Sequence, residues 1–172
     1  VKKHQAKLFG ALPEVMQELF PTFLEHLTWR HGFIEKALLK VDQDVELTGA
    51  IEALLAAPAA RFLSALELGP AFSEADENDY QETVEVLGDA AGAHLVRSLF
   101  LGSFDAEELE ISWAPWGDVS GLWKALPELR ELRLRGAGGP LGPIASSTLE
   151  SLIIQTGGLQ RRRDDSMYVE AE

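Results

Sequence analysis

The chain has 172 residues, enough for one domain with a sizeable core, and 46% of them are hydrophobic. Its 15 Lys and Arg residues are outnumbered by 28 Asp and Glu residues, and the formal net charge of −13 argues against nucleic acid and anionic membranes as partners. Cysteine is absent, which excludes disulfides and thiolate metal sites and suits a reducing cytoplasm. No apolar run reaches about 18 residues, so we expect no membrane span.

The first part of the chain has a helical pattern. Residues 4–27 carry apolar side chains at spacings of three and four, the period of an amphipathic helix. Pro13 and Pro21 divide this stretch into short helices, because proline is tolerated in a first turn and is disruptive inside a helix. We predict a helical cap over residues 1–28 that covers the first edge of a stack of strands.

A short apolar pattern, Leu-x-x-Leu-x-Leu, recurs along the rest of the chain and is clearest at Leu129, Leu132 and Leu134. Two apolar residues two positions apart point to the same face of a strand. The other copies are Leu63, Leu66 and Leu68; Val96, Leu99 and Leu101; Leu149, Leu152 and Ile154; and, more weakly, Ile34, Ala37 and Leu39. Their middle positions (37, 66, 99, 132 and 152) are 29, 33, 33 and 20 residues apart, which indicates stacked repeats.

This repetition predicts the fold class and its boundaries. We predict an α/β leucine-rich-repeat solenoid over residues 29–159, with about five irregular repeats. Short parallel strands would form its concave face, and helices and loops its convex face. The alternative is an ordinary α/β domain with leucine-rich strands. A charged C-terminal tail is expected over residues 160–172, which include the run Arg161–Arg163.

Helices are expected between the strands. Asp44, Asp79 and Asp118 each precede apolar residues at helical spacing, so we predict a capped helix after each. The predicted apolar faces are Leu47, Ile51, Leu54 and Leu55; Tyr80, Val84, Leu87 and Ala91; and Val119, Leu122, Trp123 and Leu126. The acidic loop 73–79 lacks the alternating ligands and central glycine of an EF-hand, so a solvated loop is favoured over a calcium site.

Three segments make the chain similar to a group of bacterial proteins. Read together, Trp29–Leu39, Ser112–Asp118 and Gln155–Leu159 resemble the leucine-rich-repeat proteins of repeat-companion type, which occur as large paralogous sets in myxobacteria and planctomycetes. The resemblance extends over roughly residues 5–159. It implies a right-handed α/β leucine-rich-repeat fold without a catalytic motif, and it implies no particular partner. The chain departs from the pattern at Gln160.

The sequence offers no recognisable catalytic or metal-binding constellation. Its four histidines are never paired at metal-ligand spacing. The glycine-rich stretch 136–142 is not followed by the Lys-Ser/Thr of a phosphate loop, and Pro140 and Pro143 remove two amides that would bind phosphate. We therefore predict a turn there, and no enzyme activity, cofactor or metal in the chain.

The candidate binding residues are the outward-facing positions of the predicted strands. If the leucines point inward, the protein-binding residues are Glu67, Phe100, Glu131, Arg133, Arg135, Ile153 and Gln155. Phe100 and Ile153 would be apolar anchors beside a basic pair on an acidic molecule, as in a protein-binding groove. The alternative is that these positions are simply solvated, with Phe100 covered by the long insertion 104–118.

That insertion also contains a candidate secondary patch, Trp113 and Trp116, since clustered tryptophans are favoured at binding hot spots. The alternative is that they form a local core. We predict a non-catalytic module that binds a protein partner, or a second copy of itself, through the concave face. A regulatory or sensor domain of a larger protein, whose catalytic part lies outside this chain, is the alternative, because a chain that begins with Val1 leaves room for more.

Overall fold

The computed structural model describes residues 26–40, 46–71 and 79–157. Within these ranges the strands are β1 Leu27–Arg30, β2 Phe33–Leu39, β3 Ala65–Leu68, β4 Ser98–Leu101, β5 Glu131–Gly136 and β6 Ser151–Thr156. The α-helices are α1 Leu47–Ala56, α2 Gln81–Asp89 and α3 Leu122–Ala125. Short 3-10 helices lie at Pro58–Ala60, Ala91–Leu95, Ile111–Trp113 and Val119–Gly121.

All six strands belong to one mixed sheet, in the order β1-β2-β3-β4-β5-β6. The first two strands form an antiparallel hairpin. His31 and Gly32 connect them with φ angles of 51° and 84°, and positive φ at both positions is what a tight two-residue hairpin turn requires. From β2 onward each strand pairs in parallel with the next, so the chain crosses the sheet one strand at a time.

The prediction of a leucine-rich-repeat solenoid is wrong. The strands form a single mixed α/β sheet rather than a stack of equivalent units, and its first pair is antiparallel. The connections also differ: α1 precedes β3, α2 precedes β4, and α3 precedes β5, whereas the described residues 137–150 before β6 contain no helix. The Leu-x-Leu pattern indicates only a strand with one buried face. Helical crossovers between the strands of a single parallel sheet can space such strands as evenly as the repeats of a solenoid do, so the spacing does not distinguish the two folds.

Strands β2 to β6 lie where the leucine pattern placed them, and their leucines form the core, whereas β1 was not predicted. In register across β3, β4 and β5, the inner face of the sheet buries Leu66, Leu99 and Leu132, and beyond them Leu68, Leu101 and Leu134. The helices add Leu47, Ile51, Leu54, Val84 and Leu87 to the same buried cluster. Each fully buried leucine contributes about 2 kcal/mol from its removal from water, so this ladder dominates the stability of the fold.

Tyr80 ties helix α2 to the sheet. Its ring is buried, its hydroxyl donates a hydrogen bond to the Gly69 carbonyl at 2.5 Å, and its backbone N–H donates to the Pro115 carbonyl at 3.0 Å. Burial raises the pKa of the Tyr80 phenol. The hydroxyl therefore stays protonated and serves as a fixed donor just after the end of β3.

The predicted Asp118 cap is present. The Asp118 carboxylate accepts a hydrogen bond from the Ser120 N–H at 2.9 Å, at the start of the 3-10 helix that leads into α3. Hydrogen bonds from the side chain and backbone of Ser120 lower the pKa of the Asp118 carboxyl. After Asp79 the arrangement is different, because Asp79 accepts from the Gln81 N–H at 2.8 Å while Tyr80 occupies the cap position of α2.

The glycine-rich stretch is a packed turn. The Ala137 N–H donates to the Ala114 carbonyl at 2.9 Å, and the Gly138 carbonyl accepts from the Trp116 N–H at 3.2 Å. A side chain on Gly139 would overlap the Trp116 indole, so glycine is required for the approach of these two segments.

Several predictions fall wholly or largely outside the described residues. These are the cap over residues 1–28, of which Leu27 and Thr28 lie in β1, the Asp44 cap, the acidic loop 73–79 apart from Asp79, and the tail over residues 160–172. In the described ranges no helix is both long and apolar enough to cross a membrane.

Candidate functional site

The pleat of the sheet separates the core leucines from a second row of side chains. Residues that alternate with the buried leucines point to the opposite, or outer, face. In this row Leu38 pairs with Glu67, Glu67 with Phe100, Phe100 with Arg133, and Arg133 with Ile153. We call these five residues the outer row. Four of them were predicted from the sequence, and Leu38, between the apolar residues of the weakest repeat copy, was missed.

Phe100 and Arg133 form the centre of the outer row. The Arg133 guanidinium carbon lies 4.3 Å from the centroid of the Phe100 ring, which is a cation–π geometry. The same guanidinium donates a hydrogen bond to the Gln155 side-chain oxygen at 3.1 Å. Phe100 is half-buried and Arg133 is exposed. The flat guanidinium is therefore held over the ring and still offers N–H donors to solvent.

Ile153 ends the row on β6, the last strand in the sheet order. It is 47% exposed, an uncommon environment for a large aliphatic side chain in the middle of a strand. Its neighbour Ile154 pairs with Leu134 on the inner face and is nevertheless 42% exposed, because the described residues do not cover that end of the core. Apolar surface is thus available on both sides of β6.

Glu67 and Arg135 are engaged by the segment that follows β4, residues 102–110. Glu67 accepts a hydrogen bond from the Ser103 hydroxyl at 3.1 Å. Arg135 donates to the backbone carbonyl of Phe104, and its guanidinium carbon lies 5.1 Å from the Phe104 ring centroid. Because Phe104 is buried and Arg135 half-buried, Arg135 holds this segment in place and is less available to a partner than its position on the strand suggested.

Glu131 lies one row away, paired with Ser98 on one side and Ser151 on the other. It is exposed, and the neighbouring serines are short. Together with Glu67 it gives the outer face two carboxylates around the Arg133 cation. Among the described residues, no group of three or more His, Asp or Glu side chains is arranged to hold a metal ion.

The two tryptophans of the predicted secondary patch lie in different environments. Trp113 is 54% exposed, whereas Trp116 is only 3% exposed and packs in the core. Its indole N–H has no hydrogen-bond partner among the described residues. Trp123 is also buried and donates to the Leu141 carbonyl at 2.8 Å. The two residues therefore do not form a joint surface patch, because the insertion uses Trp116 as local core.

An exposed aromatic cluster, which was not predicted from the sequence, lies at the amino-terminal ends of β2 and β3. The rings of Phe33 and Phe62 meet edge to face with centroids 4.9 Å apart, and the Arg61 guanidinium carbon lies 4.4 Å and 4.8 Å from them. Phe62 immediately precedes the first leucine of a repeat copy. The only sequence signal was a large aromatic residue outside the Leu-x-x-Leu-x-Leu positions.

Comparison with known proteins gives information on the fold. No family model and no curated protein matches the chain. A crystal structure of a protein from Bacteroides fragilis, solved as a structural-genomics target, is similar, with a TM-score of 0.61 and 26% sequence identity. The similarity covers 73% of this chain and 36% of that protein, so this chain corresponds to well under half of the solved one.

Proposed function

We propose that the protein is a non-catalytic interaction module that binds a protein partner, or a second copy of itself, through the outer face of its sheet. The observation that carries the proposal is the alignment of Phe100, Arg133 and Ile153 on three adjacent strands. Arginine and large apolar side chains are the usual anchors of protein interfaces, and rim carboxylates are common around them. A rigid sheet presents them without the ordering cost that a loop would incur.

The arrangement favours a partner with an acidic group beside an apolar one. Stacking on Phe100 orients the Arg133 guanidinium, so those of its N–H groups that make no hydrogen bond to the described residues are pre-positioned for a carboxylate. Ile153 adds an apolar side chain next to Arg133, and Leu38 lies at the other end of the row, beyond Glu67. Because the chain as a whole carries a charge of −13, this local cation would also direct the approach of an acidic segment to one part of the surface.

Affinity capture from the native host tests this function. Wild-type protein and the Phe100→Ala/Arg133→Ala variant are immobilised in equal amounts, and the retained proteins are identified by mass spectrometry. We expect a partner that is retained by the wild type and lost with the variant, whose thermal transition should stay within a few degrees because both side chains lie on the outer face. Sedimentation of the purified protein tests the self-binding form, which predicts a dimer that the same variant dissociates. Equal retention together with an unchanged sedimentation profile would count against the function.

The double variant Arg61→Ala/Phe62→Ala is a matched control. It also removes an exposed arginine and the phenylalanine it contacts, and with them two cation–π contacts, from Arg61 to Phe62 at 4.8 Å and to Phe33 at 4.4 Å, at the amino-terminal ends of β2 and β3. A loss of partner shared by both double variants would show that binding depends on general stability or charge. If the partner is lost only with Phe100→Ala/Arg133→Ala, the binding site lies on the outer face.

A second candidate function is a regulatory or sensor domain of a larger protein. The favouring observation is that the similar Bacteroides fragilis chain is matched over only 36% of its length, so there the fold is part of a longer polypeptide. The length of the open reading frame around this segment discriminates between the two. For either function we propose a bacterial cytoplasmic location, since a chain without cysteine suits a reducing compartment.

A further inference from the structure

A cleft lies at the amino-terminal ends of β2, β3 and β4, and none of its lining residues belongs to the outer row. Its volume is about 470 Å³, within the usual range for small-molecule sites. Its walls come from the hairpin turn, the start of β2 and the segments that lead into β3 and β4. The side chains that matter here are Arg30, His31, Phe33, Glu35, Phe62 and Arg97, and we call this site the amino-end cleft.

The apolar wall of the cleft is an exposed aromatic pair. The Phe33 and Phe62 rings are nearly perpendicular, at 86°, and Phe62 is 51% exposed. Large aromatic side chains are normally buried, and contiguous exposed apolar surface is a common sign of a ligand site. The Arg61 guanidinium contacts both rings and so keeps them in place. A flat or branched apolar body could rest against this wall.

The polar side of the cleft is basic, in contrast to the rest of the molecule. Its one lining carboxylate, Glu35, is paired with Arg30 at 2.8 Å. Two arginines minus one glutamate give the lining a net charge of +1, and Arg61 beside it raises the local charge to +2. Arg97 keeps its charge available, since no ion pair to it is formed within the described residues. On a chain with a net charge of −13, such a site selects anions.

The backbone fixes the two ends of this basic side. The Arg97 carbonyl accepts hydrogen bonds from the N–H groups of Arg130 at 2.8 Å and Glu131 at 2.9 Å. His31 occupies a turn position with a φ of 51°, where Asn or Gly would be less strained. His31 lines the cleft beside Arg30. A positive φ at a residue other than glycine is often found at functional sites.

We propose that the amino-end cleft binds a small organic anion, a carboxylate carried on an aromatic or branched apolar body. The body lies against Phe33 and Phe62, and the carboxylate faces Arg97 and His31. Arginine suits the planar carboxylate, and the perpendicular rings suit an apolar group of about the size of a phenyl ring. This site is independent of the outer face, from which it differs in residues, position on the strands and ligand class.

The probe for this site is 3-phenylpropionate, titrated into the full chain and followed by backbone amide chemical shifts. We expect saturable shifts confined to the segments 30–35, 61–64 and 95–97, with a dissociation constant on the order of 1 mM for a ligand of this size. The uncharged analogue 3-phenylpropanol should bind at least about tenfold more weakly, since it lacks the charge-assisted contact. Equal binding of the acid and the alcohol would overturn the proposal.

Variants locate the ligand. Arg97→Gln should weaken 3-phenylpropionate binding about tenfold, whereas Lys124→Gln, which removes an exposed cation from α3, should leave it unchanged. Phe62→Ala should weaken the acid and the alcohol alike. Because Arg97 and Lys124 are both exposed, these variants remain informative if Phe62→Ala unfolds. Shifts that do not saturate, or that respond equally to Arg97→Gln and Lys124→Gln, would contradict the site.

Discussion

The Arg133 guanidinium lies 4.3 Å from the ring centroid of Phe100, and the two residues are directly paired on neighbouring strands. This pair joins the fold to the proposed function. Its backbones are held by the buried leucine ladder one residue away on the opposite face, and its side chains are offered to solvent. Changes to the ladder should therefore affect stability, and changes to the outer row should affect binding.

The first prediction concerns the ladder. Leu99→Ala removes a fully buried side chain from the centre of the sheet and should lower the free energy of unfolding by about 3 kcal/mol, measured by urea denaturation. Ser98→Ala, the adjacent residue on the other face, is the matched control and should change it by less than about 0.5 kcal/mol. Similar losses for the two variants would show that the inner face does not dominate stability.

The second prediction concerns Tyr80. Tyr80→Phe leaves the Gly69 carbonyl without its donor and should lower the free energy of unfolding by about 1–2 kcal/mol at neutral pH. Urea denaturation measures this loss. An unchanged free energy would mean that the Gly69 carbonyl finds another donor.

Tyr80 should also make the free energy of unfolding depend on pH. Burial raises the pKa of the Tyr80 phenol, whereas an unfolded tyrosine loses its proton near about pH 10. Above that pH the unfolded state binds fewer protons than the folded state, so the free energy of unfolding falls as pH rises. Tyr80→Phe should flatten this alkaline decline between about pH 9 and 11. If the free energy of unfolding of the variant falls as steeply with pH as that of the wild type, groups other than Tyr80 cause the decline.

The third prediction concerns the Asp118 cap. Hydrogen bonds from the Ser120 side chain and backbone lower the pKa of the Asp118 carboxyl, so the cap contributes stability above the unfolded pKa of about 4. That contribution is lost as pH falls through the lower folded pKa. Asp118→Ala should therefore be less stable than the wild type at neutral pH and equal to it in strong acid. Glu52→Ala, which removes an exposed carboxylate from α1, should show no such convergence in thermal unfolding scans.

The fourth prediction concerns the hairpin turn. His31→Asn produces the Asn-Gly pair that this turn type favours, and relief of the positive φ at position 31 should raise the free energy of unfolding by about 0.5–1 kcal/mol. The same variant should bind 3-phenylpropionate more weakly, since His31 lines the amino-end cleft and its replacement removes a ring that can face the ligand. If the variant is more stable and binds 3-phenylpropionate as tightly as the wild type, His31 does not contribute to the ligand site.

The positions of β2 to β6 could be predicted from the sequence because burial on one face leaves a two-residue period, whereas β1 carries no copy of the leucine pattern and was not predicted. That period also gave the correct neighbours in the outer row, since Leu66, Leu99 and Leu132 pair in register and carry Glu67, Phe100 and Arg133 with them. The arrangement of the units could not be obtained in this way. A repeat in apolar spacing does not distinguish a solenoid from a single sheet that is crossed one strand at a time.

Contacts between distant segments account for the other differences. From its position on β5, Arg135 is expected to be a surface residue. In the structure, residues 102–110 pack over the sheet and bring Phe104 into contact with the Arg135 guanidinium. Trp116 is buried because the glycine-rich turn packs against it. The amino-end cleft joins residues 30–35 to Arg97 across about 60 positions of sequence, and no local pattern reports such proximity. Membership of the repeat-companion group stays a prediction.

The dissociation constant of a captured partner, measured with purified proteins by calorimetry, tests the outer-face function most directly. We expect Phe100→Ala/Arg133→Ala to weaken binding at least about tenfold, or about 1.4 kcal/mol, and Arg61→Ala/Phe62→Ala to stay within about twofold of the wild type. Equal affinity of the partner for the wild type and for the Phe100 and Arg133 variant would contradict it.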